Sequence, residues 1–353
     1  MGYVVLALFF ITVIFALIED HIKKYNPYIL LCLGIILVVL TATRPVGIDP
    51  DSINYEETFI HYDSPSFLDR VEFTYLFISR IVHWFSNDVH WLFLIYATLG
   101  VWLKFIAIRK MSSMWFLPLV TYLSYYYVQH ECMQIRTGVL SGIMLLMIWC
   151  IGNHKRKEAC MLLAIGTLFH YSALLLIPMF FLKNEEMTSK QVKIWALVIP
   201  VAYAIEIAGL TVFFDNIANL PFVGAKLAGY QSAVEKGTSQ FGANVFSPMQ
   251  ILTILIYYYL LYFNKTINMF DKYFPIMLKV FGLGISAYVV LSFFPVIGER
   301  VTMLYKTVSI LLYADIVYTM RPKWAATIIV MCIGIISLNY CLGNLGVILL
   351  WKV

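Results

Sequence analysis

YILLCLGIILVVLTATRPVGIDPDSINY, residues 28–55, holds both kinds of sequence from which this chain is built. Residues 28–43 form an apolar run without a charge, close to the roughly 20 residues that a helix needs to cross bilayer hydrocarbon. At Arg44 the character changes. Arg44-Pro45-Val46-Gly47-Ile48-Asp49-Pro50-Asp51 supplies charge and turn residues, and opens a segment of about forty residues rich in Arg, Asp, Glu, His and Tyr. A polar segment of that length beside the bilayer points to a reaction or binding site facing one aqueous compartment.

The rest of the chain repeats the apolar half of this pattern. Hydrophobic residues make up 61% of the 353, charged residues 13%, and the mean hydropathy is +0.81. A soluble domain carries roughly a quarter charged residues, so ordinary globular packing is excluded. Runs this apolar satisfy their backbone in a membrane as helices. The expected fold is all-α: one integral membrane domain over residues 1–353, a multipass bundle of about 10–12 membrane helices including half-spanning segments. The net charge of +5 says less than where the basic residues lie, and nothing points to a nucleic-acid partner. The six cysteines show no C-x-x-C spacing and lie mostly in apolar runs, which reads as buried free thiols. The amino terminus has no basic residue and no cleavage signal before Glu19, which reads as an uncleaved first span.

Candidate spans cover 3–18, 28–43, 89–108, 114–129, 134–152, 194–213, 246–263, 273–295, 301–320 and 324–341. Residues 71–86 carry Glu72, Arg80 and His83 in an aromatic helical pattern suited to an interfacial or half-inserted helix. Residues 159–182 are interrupted by His170 and Ser172, with Pro178 following. Lys23, Lys24, Arg109, Lys110 and Lys155 to Lys157 mark cytoplasmic connections, as do Lys183, Lys190, Lys193, Lys265, Lys272, Arg321 and Lys323. Keeping all of these on one side requires 159–182 to enter and leave on that side, as a hairpin with His170 near its tip. A full crossing, with one exception to the charge bias, is the alternative. Residues 44–88 and 130–133 then lie outside, joined on the hairpin reading by the loop 214–245 and the turn at Glu299-Arg300.

Lysines dominate the cytoplasmic connections, whereas five of the eight arginines (Arg44, Arg70, Arg80, Arg136 and Arg300) fall on the outer side. Arginine grips phosphate bidentately and keeps its charge in a low-dielectric site. The sorting suggests an outward-facing anion cavity, although Arg70 and Arg80 also suit snorkelling from an interfacial helix. Arg136 opens an apolar span, where a charge is costly unless paired or functional. An ion pair with Glu131 or Glu72 competes there with phosphate binding. Glu299-Arg300 begins another span, with Tyr305 and Lys306 deeper; an ion pair between the two neighbours is the plain alternative. His170 reads as a packing residue or as a proton-transfer group. In Asp49-Pro50-Asp51, a D-x-D pattern competes with helix capping by Asp51. Most of the abundant aromatics read as belts and packing, with Tyr55 and Tyr230 as sugar-stacking candidates. No histidine pair stands at ligand spacing and no glycine-rich phosphate loop appears, so neither metal nor cofactor is expected.

Read in order, several short pieces resemble the EpsG/Wzy-like polysaccharide polymerases. They are Arg44 with Gly47-Ile48-Asp49 and Tyr55, then Glu72-Phe73, Ile135-Arg136, Phe169-His170-Tyr171-Ser172-Ala173-Leu174, and Arg300 with Tyr305. The gap from Asp49 to Tyr55 is longer than the family pattern, so Asp51 is an alternative for the aspartate. The resemblance implies a glycosyltransferase of the bacterial inner membrane, acting on its external face. Its substrates would be undecaprenyl-diphosphate-linked oligosaccharides, its surroundings membrane lipids, and a chain-length regulator protein a possible partner. It assigns Arg44, Arg136 and Arg300 to the diphosphates and one of Asp49, Glu72 or His170 to the base. Tyr55, Glu131, Glu299 and Tyr305 take sugar-binding or supporting places. A flippase for lipid-linked sugars, an O-antigen ligase and a membrane O-acyltransferase are the competing classes.

Overall fold

The computed structural model describes residues 2–64, 71–209, 244–292 and 295–344, which are helices and their connections with no strand among them. Helices α1 (Gly2–Ile18) and α2 (Asn26–Ala42) lead into two short helices, α3 (Pro50–Ile60) and α4 (Phe73–His83). Then come α5 (His90–Met111), α6 (Phe116–Thr121) continuing as a π-helix over Tyr122–Met133, α7 (Ile135–Gly152) and α8 (Arg156–Phe169). A 3-10 segment, Tyr171–Phe181, precedes α9 (Ser189–Ile207), α10 (Pro248–Tyr262), α11 (Asn264–Asn268) and α12 (Phe274–Val290). The described chain closes with α13 (Pro295–Lys306), α14 (Ser309–Leu312), a 3-10 turn Ala314–Tyr318 and α15 (Lys323–Asn344). Among the described residues, α5, α7 and α15 are long and apolar enough to cross a membrane, and Gly298–Lys306 with Ser309–Tyr318 makes a fourth span bent by 41°. The chain is therefore an all-α multipass membrane bundle.

Helix α7, with 18 residues and a rise of about 27 Å, separates two faces. At its C-terminal end the basic connections meet. Asn153 donates to the Tyr273 hydroxyl (2.9 Å) and accepts from Lys272 Nζ (3.0 Å), while Lys279 Nζ donates to the Lys183 carbonyl (2.6 Å). Around the same face Lys323 pairs with Asp20 at 3.3 Å, and Ser113 and Tyr318 share a hydrogen bond of 2.7 Å. Arg136, second residue of α7, lies at the opposite face.

Residues 159–182 form the hairpin. Helix α8 stops at His170, whose backbone is extended (φ −159°, ψ 128°). A Cβ on Gly166 would stand 3.4 Å from that of Ala173, seven residues on, where a continuous helix would separate them by about 10 Å. At the open end, a Cβ on Gly152 would meet the Asn184 amide at 3.1 Å. The two arms match in length: 14 α-helical residues rise about 21 Å, and 11 residues at the 3-10 rise of about 2.0 Å give about 22 Å. A full crossing is excluded because the chain returns to the face it left.

Three expectations need correcting. Residues 130–133 are not an outer loop: they end the π-helix, and His130 and Glu131 are buried at 0% and 1% exposure. The wider π-turn, seen in the 2.8 Å bond from Gln134 N to the Gln129 carbonyl, turns the polar run inward. There Lys104 Nζ meets Glu131 Oε1 at 2.6 Å and the Gly138 carbonyl at 2.7 Å, and Tyr122 donates to the same carboxylate at 3.0 Å. This network ties α5, the π-helix and α7, and Gly100 makes room for it, since a Cβ there would lie 1.9 Å from Glu131 Oε2. The span predicted at 301–320 is broken after Lys306. Finally, the thiols are free but not uniformly buried: Cys32, Cys160 and Cys332 are exposed on the bundle surface.

Removing one partner of a buried pair leaves an uncompensated charge, whereas replacing both leaves an apolar core. Lys104→Met should therefore lower stability by about 3–5 kcal/mol. Lys104→Met with Glu131→Leu should recover most of that, read as thermal midpoints in detergent. A single variant as stable as the parent protein would show that the pair does not brace the three helices.

Candidate site: arginines and carboxylates at one face of the bundle

The site starts at the end of α2. Arg44 is 2% exposed; its Nη1 donates to the Thr41 carbonyl (2.9 Å) and its Nε to Asp49 Oδ2 (3.4 Å). The guanidinium carbon lies 3.8 Å from the Phe93 ring centre, a cation–π contact in a desolvated place. His90 Nε2, 3.1 Å from the Arg44 carbonyl, anchors the same turn to α5. Asp49 is the N-cap of α3: its Oδ1 accepts from the backbone N–H of Asp51 (3.1 Å) and Ser52 (2.8 Å). Pro50 follows at the first helical position, where its missing N–H costs nothing. Gly47, with φ +88°, supplies the left-handed turn that brings Asp49 back to Arg44.

Capping by Asp49 releases Asp51. The carboxyl of Asp51 is half-buried, and among the described residues no hydrogen bond reaches it. It lies within electrostatic reach of both Arg300 and Arg136, from helices far apart in sequence. Burial first, then the neighbouring Asp49, raises its pKa above the usual aspartate value; the two arginines oppose this.

Arg136 bonds Glu72 through Nη1, and its buried Nε has no partner among the described residues. Its guanidinium stands 5.8 Å from the Tyr55 ring and 5.9 Å from the Tyr75 ring, and its side chain keeps 24% exposure. Tyr55 and Tyr75 stack at 6.1 Å, and the Tyr75 hydroxyl donates to the Tyr55 carbonyl at 2.6 Å, which locks α3 against α4. Glu72 is 5% exposed at the start of α4, and Thr74 ties that helix to the Leu168 carbonyl at 2.8 Å. The hairpin tip is thereby held at the site. His170 Nδ1 accepts from Ser172 N at 3.0 Å, so a neutral ring carries its proton on Nε2, which faces Glu72 Oε1 at 3.9 Å.

Of the residues singled out from the sequence, Arg44, Asp49, Tyr55, Glu72, Arg136 and His170 are thus brought together, and Arg300 lies within electrostatic reach of Asp51. Arg136 pairs with Glu72 and not with Glu131, which belongs to the Lys104 network inside the bundle. Tyr305 donates to the Leu175 carbonyl at 2.5 Å and so holds α13 to the hairpin, while Glu299 faces another way along the same helix. Arg80 is exposed at the end of α4. Arg70, Tyr230 and most of the loop 214–245 lie outside the described residues. No cluster of three metal-ligating side chains occurs among the described residues. Asp51 is the residue that the sequence left ambiguous, because capping and chemistry call for the same residue type; only the cap geometry separates it from Asp49.

A polytopic helical membrane protein with buried arginine–carboxylate pairs at one face is the class that fold and site define. The model of the EpsG family matches residues 27–346, and the chain belongs to that family. It is also similar to the amylovoran biosynthesis protein AmsC of Erwinia amylovora, with 23% identity over 265 residues, covering 74% of this chain and 68% of that protein. No solved structure matches it.

Falling pH neutralises Asp51 earlier than an ordinary aspartate and removes a negative charge within electrostatic reach of Arg136 and Arg300. Inorganic pyrophosphate should therefore bind several-fold more tightly as pH falls through that raised value. Asp51→Asn should bind tightly at every pH, measured by titration calorimetry. A variant with the parent's pH dependence would show that Asp51 does not control the site.

Proposed function

We propose that the chain is a polysaccharide polymerase that extends a glycan carried on undecaprenyl diphosphate, at the external face of a bacterial inner membrane. The observation that carries this reading is the pairing of Arg136 with Glu72 and of Arg44 with Asp49 at one face, with the Asp51 carboxyl within electrostatic reach of Arg136 and Arg300. Family membership and the relative named for amylovoran biosynthesis support it, and favour exopolysaccharide as the product class over O-antigen.

The growing chain leaves one lipid diphosphate and passes to a sugar of another lipid-linked repeat unit. The acceptor hydroxyl oxygen bonds to the anomeric carbon of the donor. The bond from that carbon to the diphosphate oxygen breaks, and the electron pair leaves with the lipid diphosphate. Arg136 and Arg300 stabilise the charge that develops there, which is worth most in a site shielded from water. The acceptor proton passes to a carboxylate. Of the candidates, Asp49 is engaged by two backbone N–H groups and Arg44, and Glu72 by Arg136. His170 accepts at Nδ1, which leaves Asp51 as the best placed base. Glu72 and His170 position Arg136, Arg44 holds the capped turn, and Tyr55 walls the arginine. Since guanidinium groups supply the positive charge, no divalent ion is needed for the leaving group.

Arg136→Ala and Arg300→Ala should each slow chain growth at least about a hundredfold while leaving insertion intact. The assay is ladder formation by protein reconstituted with lipid-linked repeat units; full-length ladders from either variant would remove the diphosphate clamp. Movement of the lipid across vesicles without new glycosidic bonds would instead make the chain a transporter. Activity should persist in EDTA, and loss restored by a divalent ion would contradict the arginine-only account. Cysteines placed at 155 and 183 should react with an impermeant thiol reagent only from the cytoplasmic side, and one at 300 only from outside. Labelling of all three from one side would invert or destroy the proposed orientation.

A further inference from the structure

Helix α13 presents two chemically distinct faces. Arg300 is exposed and within electrostatic reach of Asp51, and Tyr305 is buried against the hairpin. On another face Glu299, Met303 and Lys306, spaced by four and three residues, form one helical stripe, and all three are half-exposed. Charged side chains within a membrane segment face a protein interior or an aqueous cavity, because hydrocarbon does not solvate them. A stripe with a carboxylate at one end and a lysine at the other therefore faces the bundle interior or such a cavity.

Its deep end is built for an anion. Lys306 is the last residue before the 41° break, and broken spans are where membrane proteins place binding sites near the midplane. The freed backbone is satisfied by Tyr126, whose hydroxyl bonds the Lys306 carbonyl at 2.6 Å and the Ser309 hydroxyl at 2.9 Å. The break is thus held open by design of the neighbouring helix. Lys306 Nζ donates to Gln250 Oε1 at 2.7 Å and lies 5.3 Å from the Tyr288 ring centre. No carboxylate among the described residues pairs with it. Gln250 is 3% exposed, and its Nε2 has no hydrogen-bond partner among the described residues. Lys306 and the Gln250 amide together thus offer a cationic group and a buried N–H donor that no described carboxylate engages.

The remainder of the stripe suits sugars. Tyr288 of α12 lies within electrostatic reach of Glu299, Tyr203 of α9 and Tyr340 of α15, and its ring centre is 5.3 Å from Lys306 Nζ. Aromatic faces pack against the apolar faces of sugar rings, and a carboxylate accepts from their hydroxyls. From Lys306 to Arg300 the helix rises about 9 Å, so a glycan anchored at Lys306 would run along Met303 and Glu299 to the Asp51 site.

We propose that this crevice is a second glycolipid site, in which Lys306 and Gln250 hold the lipid diphosphate of the acceptor and Glu299 with Tyr203, Tyr288 and Tyr340 holds its sugars. The proposal rests on the polymerase reading, in which two lipid-linked substrates must be bound at once. Arg136 and Arg300 then serve the donor, and α13 is the partition between the two.

Native mass spectrometry of the whole protein in nanodiscs tests it. The probe is the single-repeat polyprenyl diphosphate glycolipid extracted from host cells lacking this protein. The parent protein should bind two molecules, whereas Lys306→Met and Gln250→Leu should bind one and Lys306→Arg should regain two. In the ladder assay the acceptor KM should rise at least tenfold in the first two variants, with the maximal rate retained. Two molecules bound by both Lys306→Met and Gln250→Leu, with unchanged KM, overturn the proposal, as does a parent protein that binds one. A parent protein that binds two, loses one in the variants and yet forms no ladder would sink the polymerase reading and leave the crevice standing.

Discussion

A charge below the surface of a membrane protein persists only where something within reach compensates it. The Arg136–Glu72 pair is the point from which the rest of this site is organised. Glu72 begins a short helix that cannot cross the membrane, and Arg136 begins one that does. Joining them pulls α4 down onto the bundle and leaves a guanidinium partly open on the side of Tyr55 and Asp51. The hairpin supplies the third element, since His170 faces the same carboxylate while Thr74 holds α4 to the preceding turn. Three segments of different sequence origin are thereby made into one wall.

The bundle beneath the wall solves a matching problem. Arg136 must sit at a fixed height, and its helix is gripped from the side by Lys104, which bonds both Glu131 and the Gly138 carbonyl. The π-helix makes this possible by turning a polar triplet inward that an α-helix would distribute around its circumference. Buried pairs of this kind contribute little net stability when formed, but they are costly to break, so they specify one arrangement of three helices against slippage. The broken span at Lys306 has the opposite character: its partners satisfy the backbone, and no carboxylate among the described residues pairs with the lysine.

Much of this could be read from residue order. The long apolar runs required helices and the placement of lysines sorted their ends; Arg44 and Arg136, set apart from those lysines, meet carboxylates at the opposite face. Glu72, Arg136 and His170 were identifiable because each interrupts an apolar pattern at a cost that demands an explanation. Glu131 met the same criterion and belongs elsewhere. Sequence cannot distinguish a charge paired inside the bundle from one paired at its rim, since both answer the same penalty. Asp49 and Asp51 were confused for a related reason: either could cap a helix starting nearby, and only the start at Pro50 assigns the cap to Asp49.

What the sequence by itself determined is the membrane bundle, its charge sorting and the polar segment after Arg44, because hydrocarbon thickness and the solvation of charge act on each residue regardless of its neighbours. What only the tertiary structure decided is which charges meet. Arg136 meets Glu72 across 64 residues, and among the described residues Lys306 is left without a carboxylate. Such pairings depend on where helices cross, where a π-turn rotates a face and where a hairpin turns back. Those are properties of packing between segments, which no local pattern records.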